Sequence, residues 1–187
     1  MAALAQAPLD NSRTITFRIQ LSSPRKEGKT ANSSYLHAFE CASYPHDKRC
    51  GASTRICVHD NLYGDRSEFI LTPVGDHYRI QLKGSRLDGG APMPSLYVLE
   101  GAGDKRDENS TYVSVHDNKH SLWRFIPLGN GKYRIQLIGS RKEDGKSGPF
   151  LHVCEVSTYD LDRRDEGSTR ICVHDNLYGD TSEFSIH

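Results

Sequence analysis

Along most of the chain, apolar and polar residues alternate with a period of two, in short blocks separated by turn-forming residues. In FRIQL (17–21), Phe17, Ile19 and Leu21 fall on one face and Arg18 and Gln20 on the other; further on, Ile56 and Val58 oppose Cys57 and His59. Period-two alternation marks half-buried β-strands, and no segment sustains a helical period. Between blocks lie turn sequences such as PVGD (73–76) and LGNGK (128–132), the second a strong hairpin signal. The pattern predicts an all-β protein.

The blocks recur. FRIQL at 17–21 returns as YRIQL at 78–82 and 133–137, and SYLHAFE (34–40) is echoed by SLYVLE (95–100) and PFLHVCE (149–155). SEFIL (67–71), SLWRFIP (121–127) and SEFSI (182–186) form a third set. The fourth is the strongest: STRICVHDNLYGD stands at 53–65 and again at 168–180, with STYVSVHDNKHS at 110–121 between them, so VHDN occurs at 58–61, 115–118 and 173–176. Four strands in each of three copies is the arithmetic of a β-trefoil with pseudo-threefold symmetry. The expected organisation is one domain, 1–187, with repeats at about 13–74, 75–129 and 130–187. No single copy can bury its own apolar face, so the three must fold as one unit.

Composition narrows the function. With 24 basic and 24 acidic side chains the formal charge is zero, and no basic stripe of the kind that binds nucleic acid is present. No apolar run approaches a membrane span, and MAALAQAPLDNS has no basic n-region. A cytoplasmic protein is expected, with leaderless export still open, and no membrane insertion. Five cysteines, an odd number, are expected to be free thiols, although Cys41 and Cys50 could bridge if oxidised.

Two families resemble this pattern. The order of Ser-x-aromatic, a glycine turn and [FY]-R-I-Q-L resembles the ricin-type lectin repeat, with Ser67-Glu68-Phe69, Ser121-Leu122-Trp123 and Ser182-Glu183-Phe184 where that repeat has Gln-x-Trp. Tyr35-Leu36-His37 and Phe150-Leu151-His152, followed by Thr54-to-Asp60 and Thr169-to-Asp175, are similar to the mytilectin-type mussel lectins. The His-Pro-x-Gly-Gly of that family is replaced by His37-Ala38-Phe39 and His152-Val153-Cys154, and Tyr97 stands for the histidine in the middle copy. Both resemblances imply a β-trefoil fold and sugar binding.

The residues themselves point the same way. The middle copy has drifted, with Ser114 for Cys57 and Lys119-His120 for Leu62-Tyr63, yet His116, Asp117 and Asn118 persist. An asparagine suits a turn; the histidine has no evident structural need. A carboxylate for paired hydroxyls, an amide and an imidazole for directional bonds, and an aromatic face for the apolar side of a sugar ring make a carbohydrate site. The expected sugar-binding residues are therefore His59, Asp60, Asn61 and Tyr63; His116, Asp117 and Asn118; and His174, Asp175, Asn176 and Tyr178; with His37, Tyr97 and His152 as second contributors. Threefold-related Arg18, Arg79, Arg134, Gln20, Gln81 and Gln136 are expected on a solvated or salt-bridged barrel face.

Chelation of a metal by neighbours such as His59 and Asp60 is disfavoured because adjacent strand residues point apart. Cys57 with His59, Cys172 with His174, or Ser114 with His116 could share a face as a nucleophile and base, but no third orienting group accompanies them. The expectation is a non-catalytic, multivalent lectin without cofactor or metal, an agglutinin whose partners are glycans or glycoconjugates, with homodimerisation left open. The alternative is a cytoskeletal or protease-inhibitory module that binds protein through the loop at 40–52, ECASYPHDKRCGA, found in that form only in the first copy.

Overall fold

The computed structural model describes residues 16–25, 34–98, 101, 103–141, 147–154 and 159–187. The amino-terminal segment, the start of the first repeat at residue 13, and the ends of the SLYVLE and PFLHVCE blocks lie outside the described residues.

The fold is all-β. The first repeat contributes β1 (Thr16–Phe17), β2 (Ile19–Leu21), β3 (Ser34–His37), β4 (Lys48–Cys50), β5 (Ser53–Arg55), β6 (Cys57–His59) and β7 (Phe69–Val74). The second holds β8 (His77–Leu82), β9 (Ser95–Val98), β10 (Lys105–Asp107), β11 (Ser110–His116) and β12 (Trp123–Gly129). The third holds β13 (Lys132–Leu137), β14 (Phe150–Val153), β15 (Arg163–Asp165), β16 (Ser168–His174) and β17 (Phe184–Ile186). Short 3-10 turns at Gly64–Ser67 and Gly179–Ser182 follow the first and third VHDN segments.

The expected β-trefoil of three four-stranded repeats is corrected by the strand pairing. Antiparallel pairs run β2, β3, β6, β16, β11, β9, β8, β12, β13, β17 and back to β2, closing a ten-stranded barrel with the remaining strands outside it. Closure passes through strands of all three copies, so no copy is a closed unit. The strand count also differs, because KRC (48–50), KRD (105–107) and RRD (163–165) form short strands, each paired through a bulge with the strand that follows. Alternation of apolar residues could not mark them. Their side chains are secured by ion pairing instead of apolar packing.

The threefold beat survives in the registers. Ser53–Arg55 pairs with Ser114–His116, Ser110–Tyr112 with Cys172–His174, and Ser168–Arg170 with Cys57–His59. Each S-T-x start therefore lies against the VHDN end of another copy. These strands were expected to be half-buried, but β5, β6, β11 and β16 are buried on both faces. One face meets the barrel core and the other is covered by loops carrying charged side chains.

That core comprises Ile19, Leu21, Ile80, Leu82, Ile135 and Leu137 from the R-I-Q-L blocks, with Leu36, Leu96, Leu151, Phe69, Trp123, Phe184 and the apolar positions of β6, β11 and β16. Burial of each such side chain stabilises the fold by about 1.5–3 kcal/mol. LGNGK makes the predicted hairpin between β12 and β13, with Asn130 at φ 52° between two left-handed glycines. On the barrel exterior, Arg18 bonds Glu68 at 2.8 Å, Arg134 lies 3.9 Å from Glu183, and Arg79 meets His120 at 3.3 Å.

Candidate functional site

Each VHDN segment is a strand end turning into a loop, and the histidine makes the turn. Asn61 N–H donates to His59 Nδ1 at 2.9 Å, Asn118 N–H to His116 Nδ1 at 3.0 Å, and Asn176 N–H to His174 Nδ1 at 2.9 Å. The structural need that the sequence did not reveal is this bond. Burial lowers the pKa of all three histidines, leaving them neutral near pH 7. A neutral ring that accepts at Nδ1 carries its proton on Nε2, so His59 Nε2 donates to Tyr63 Oη at 3.1 Å.

The aspartates face inward, each held by a buried arginine of its own copy. Arg25 grips Asp60 with Nε at 3.0 Å and Nη2 at 2.9 Å; Arg86 grips Asp117 and Arg141 grips Asp175, each at 3.0 and 3.2 Å. The same arginines reach Thr169, Thr54 and Thr111 and the carbonyls of Glu166, Gly51 and Glu108 in another copy. Backbone bonds repeat the connection: Asp60 N–H to Gly167 O, Asp117 N–H to Ala52 O, Asp175 N–H to Asn109 O. Burial alone would raise the pKa of Asp60, but the bonds from Arg25 and Ser34 outweigh it and hold the carboxyl below its usual range. Both carboxylate oxygens of each aspartate are thus committed within the protein.

What faces outward is the rest of each corner. Tyr63 and Tyr178 are 44% and 51% exposed, and Asn61, Asn118 and Asn176 are exposed beside them. The second contributors do join these corners. His37 lies 4.5 Å from the Tyr63 ring and 5.8 Å from His59; His152 lies 5.4 Å from Tyr178 and 5.8 Å from His174. His59 and His174 meet Tyr63 and Tyr178 edge-on at 4.7 and 4.6 Å. Burial, then the neighbouring His59, lowers the His37 pKa to about 3. The middle corner inverts the arrangement: Tyr97 stands edge-on to His116 at 5.5 Å, with Lys119 Nζ 5.8 Å from the tyrosine ring.

Sequence reasoning missed two features. An open groove of about 530 Å³ is lined by Tyr44, Tyr159, Asp160, Arg163, Arg164, Asp165 and Glu166. Tyr44 belongs to the 40–52 loop and stacks on the Arg164 guanidinium at 4.2 Å; Tyr159 stacks on Arg106 at 4.6 Å. Tyr44-Pro-His-Asp47 and Tyr159-Asp-Leu-Asp162 hold matching places in their copies, a faint spacing signal that could have found the groove. The second is a cycle of ion pairs between copies: Arg49 to Asp104, Arg106 to Asp162 and Arg164 to Asp47.

The five cysteines are free thiols. Cys50, placed where the other copies have Asp107 and Asp165, bonds Ser53 Oγ at 3.0 Å, and that bond lowers its pKa to about 7. Cys57 is wholly buried, which raises its thiol to about 11 and leaves it a poor nucleophile. Among the described residues no three His, Cys, Asp or Glu side chains form a group able to hold a metal ion. No protein-family model matches the chain, and no curated protein matches it.

Proposed function

We propose that the protein binds carbohydrate without catalysis, through exposed tyrosines held rigid at the VHDN corners. The observation that carries this reading is the pair of His-His-Tyr clusters: His37, His59 and Tyr63 in the first copy, and His152, His174 and Tyr178 in the third. A tyrosine whose ring is fixed by two imidazoles presents an aromatic face at little entropic cost on binding. Asn61 and Asn176 flank these rings with amides suited to sugar hydroxyls. Asp60, Asp117 and Asp175 act as positioning residues that anchor each corner. Two equivalent outer corners make the protein multivalent, with Tyr97, His116 and Asn118 as a weaker third site.

A glycan array followed by calorimetric titration tests this. Binding should be saturable with wild-type protein and lost when Tyr63→Ala and Tyr178→Ala are combined in a folded protein. Absence of glycan binding at millimolar concentration would overturn the proposal. One observation favours the second reading, protein binding through the 40–52 loop: Tyr44 and Tyr159 flank an open groove. Tyr44→Ala would then abolish capture of a protein partner and leave any glycan titration unchanged.

A further inference from the structure

The turn between β15 and β16 joins the open groove to the first VHDN corner. Asp165 and Glu166, at the turn, line the groove. The same turn packs on the corner: Asp165 Oδ1 lies 3.9 Å from His59 Nε2, Gly167 O accepts from Asp60 N–H at 2.9 Å, and Glu166 O accepts from Arg25 at 2.9 Å. A Cβ added to Gly167 would come 3.1 Å from His59 Cε1. Because His59 Nε2 also meets Tyr63 Oη at 3.1 Å, one imidazole is the shared neighbour of the exposed corner tyrosine and of the groove wall.

The groove carries two aromatic rings of its own. Tyr44 and Tyr159 both line it, with the Arg164 guanidinium 4.2 Å from the first ring and the Arg106 guanidinium 4.6 Å from the second. These guanidinia are anchored in turn, Arg164 by Asp47 and Asp165, and Arg106 by Asp162 and Asp107, so the rings are held in place before anything binds. Tyr159 is 38% exposed and Tyr44 half-buried. A fixed ring with surface left over stacks on the apolar face of a sugar at low entropic cost. Charge does not select an ion here: Arg163 shares the lining with Asp160 and Glu166, and Arg164 is neutralised by its two aspartates. A groove of about 530 Å³ with donors and acceptors of both signs suits a chain of hydroxyls.

The aromatic pair belongs to this corner alone of the three. Tyr44, Gly101 and Tyr159 hold matching places in the three copies. By the same threefold relation the third corner, whose Asp175 N–H bonds Asn109 O, has Tyr159 and Gly101 where the first has Tyr44 and Tyr159. We propose that the groove extends the first corner into a cleft for a linear oligosaccharide, with one sugar on Tyr63 and the following ones against Tyr159 and Tyr44. The third corner takes a single sugar. This inference rests on the sugar-binding reading and gives one of its sites a longer ligand.

The test isolates each outer corner in the full chain, Tyr178→Ala leaving the first and Tyr63→Ala the third. Each variant is titrated calorimetrically with glucose, galactose, mannose and N-acetylglucosamine, and with the linear tetrasaccharide of each. For a sugar that binds, the first corner should hold the tetrasaccharide about thirtyfold more tightly than the monosaccharide, as two added stacking contacts supply. The third corner should show only the statistical advantage of a chain. Tyr44→Ala or Tyr159→Ala, added to Tyr178→Ala, should each remove much of the gain and leave monosaccharide affinity as it was. The Tyr44 ring takes no part in the bonds from Tyr44 N–H to Cys41 O and from Asp47 N–H to Tyr44 O, so the loop keeps its shape without it. Equal gains at the two corners, or a gain that survives both substitutions in folded protein, would overturn the extension alone. Wild-type protein that binds none of these saccharides would overturn the sugar reading together with it.

Discussion

The outer VHDN corners and the middle one agree on the inside and differ on the outside. In all three, histidine Nδ1 accepts from the asparagine N–H two residues on, and the aspartate is gripped by a buried arginine. Past the asparagine, Leu62-Tyr63 and Leu177-Tyr178 project into solvent, whereas the middle copy places Lys119-His120 there. The persistence of His-Asp in a drifting copy thus follows from the needs of the fold, and the residues that vary are those free to touch a ligand. Persistence within a chain separates constrained residues from unconstrained ones, but it does not say whether the constraint is folding or binding.

The largest effect that could break this comparison comes from the aspartates. Asp60→Ala, Asp117→Ala and Asp175→Ala each take one carboxylate from a buried arginine, and Asp60→Ala should cost on the order of 3 kcal/mol. Urea denaturation should register a loss in all three, smaller for Asp117→Ala than for Asp60→Ala because Arg86 keeps its ion pair with Glu40, and the triple variant should not fold. An exposed, sugar-contacting aspartate would instead show losses within about 0.5 kcal/mol.

Acid should separate the corners next. The folded-state pKa of His37 lies near 3, below the ordinary 6.5, so the unfolded chain binds the extra proton first and stability falls as pH drops between those values. At about 1.4 kcal/mol per pH unit, His37 accounts for roughly 2 kcal/mol between pH 6.5 and about pH 5. His37→Phe should flatten that slope in stability curves. Tyr97→Phe, at the equivalent position in the middle copy, should leave it unchanged.

Smaller losses sharpen the inner half. His59→Phe, His116→Phe and His174→Phe each remove one acceptor from a turn N–H and should each cost about 1–2 kcal/mol, measurable as a shift in denaturation midpoint at constant slope. Least costly to the fold are Tyr63→Ala and Tyr178→Ala, within about 1 kcal/mol because the rings are half exposed. Each should remove one outer site from the titration stoichiometry and leave the other site's affinity unchanged.

The strands of the core were legible because their faces differ in polarity: Ile19, Leu21, Ile80, Leu82, Ile135 and Leu137 alternate with polar residues and all lie in the core. The short strands at 48–50, 105–107 and 163–165 were not, since Arg49, Arg106 and Arg164 are secured by carboxylates distant in sequence. The site was legible in part. The resemblance to mytilectin-type lectins points to His37 and His152, the repeated segment points to Tyr63 and Tyr178, and the rings of each pair meet. The inward turn of Asp60, Asp117 and Asp175 was hidden, because nothing near VHDN in sequence announces Arg25, Arg86 or Arg141 as its partner.

By itself the sequence determined local matters: strand existence from period-two alternation, the 128–132 turn from its glycines and asparagine, and the threefold beat from repetition. These depend on steric and hydrophobic preferences acting over a few residues. Tertiary structure alone decided the ten-strand closure, the burial of β6, β11 and β16 on both faces, and the direction each aspartate points. Those outcomes depend on which charges and strand edges from remote parts of the chain meet in low dielectric, where an ion pair distant in sequence outweighs any local preference.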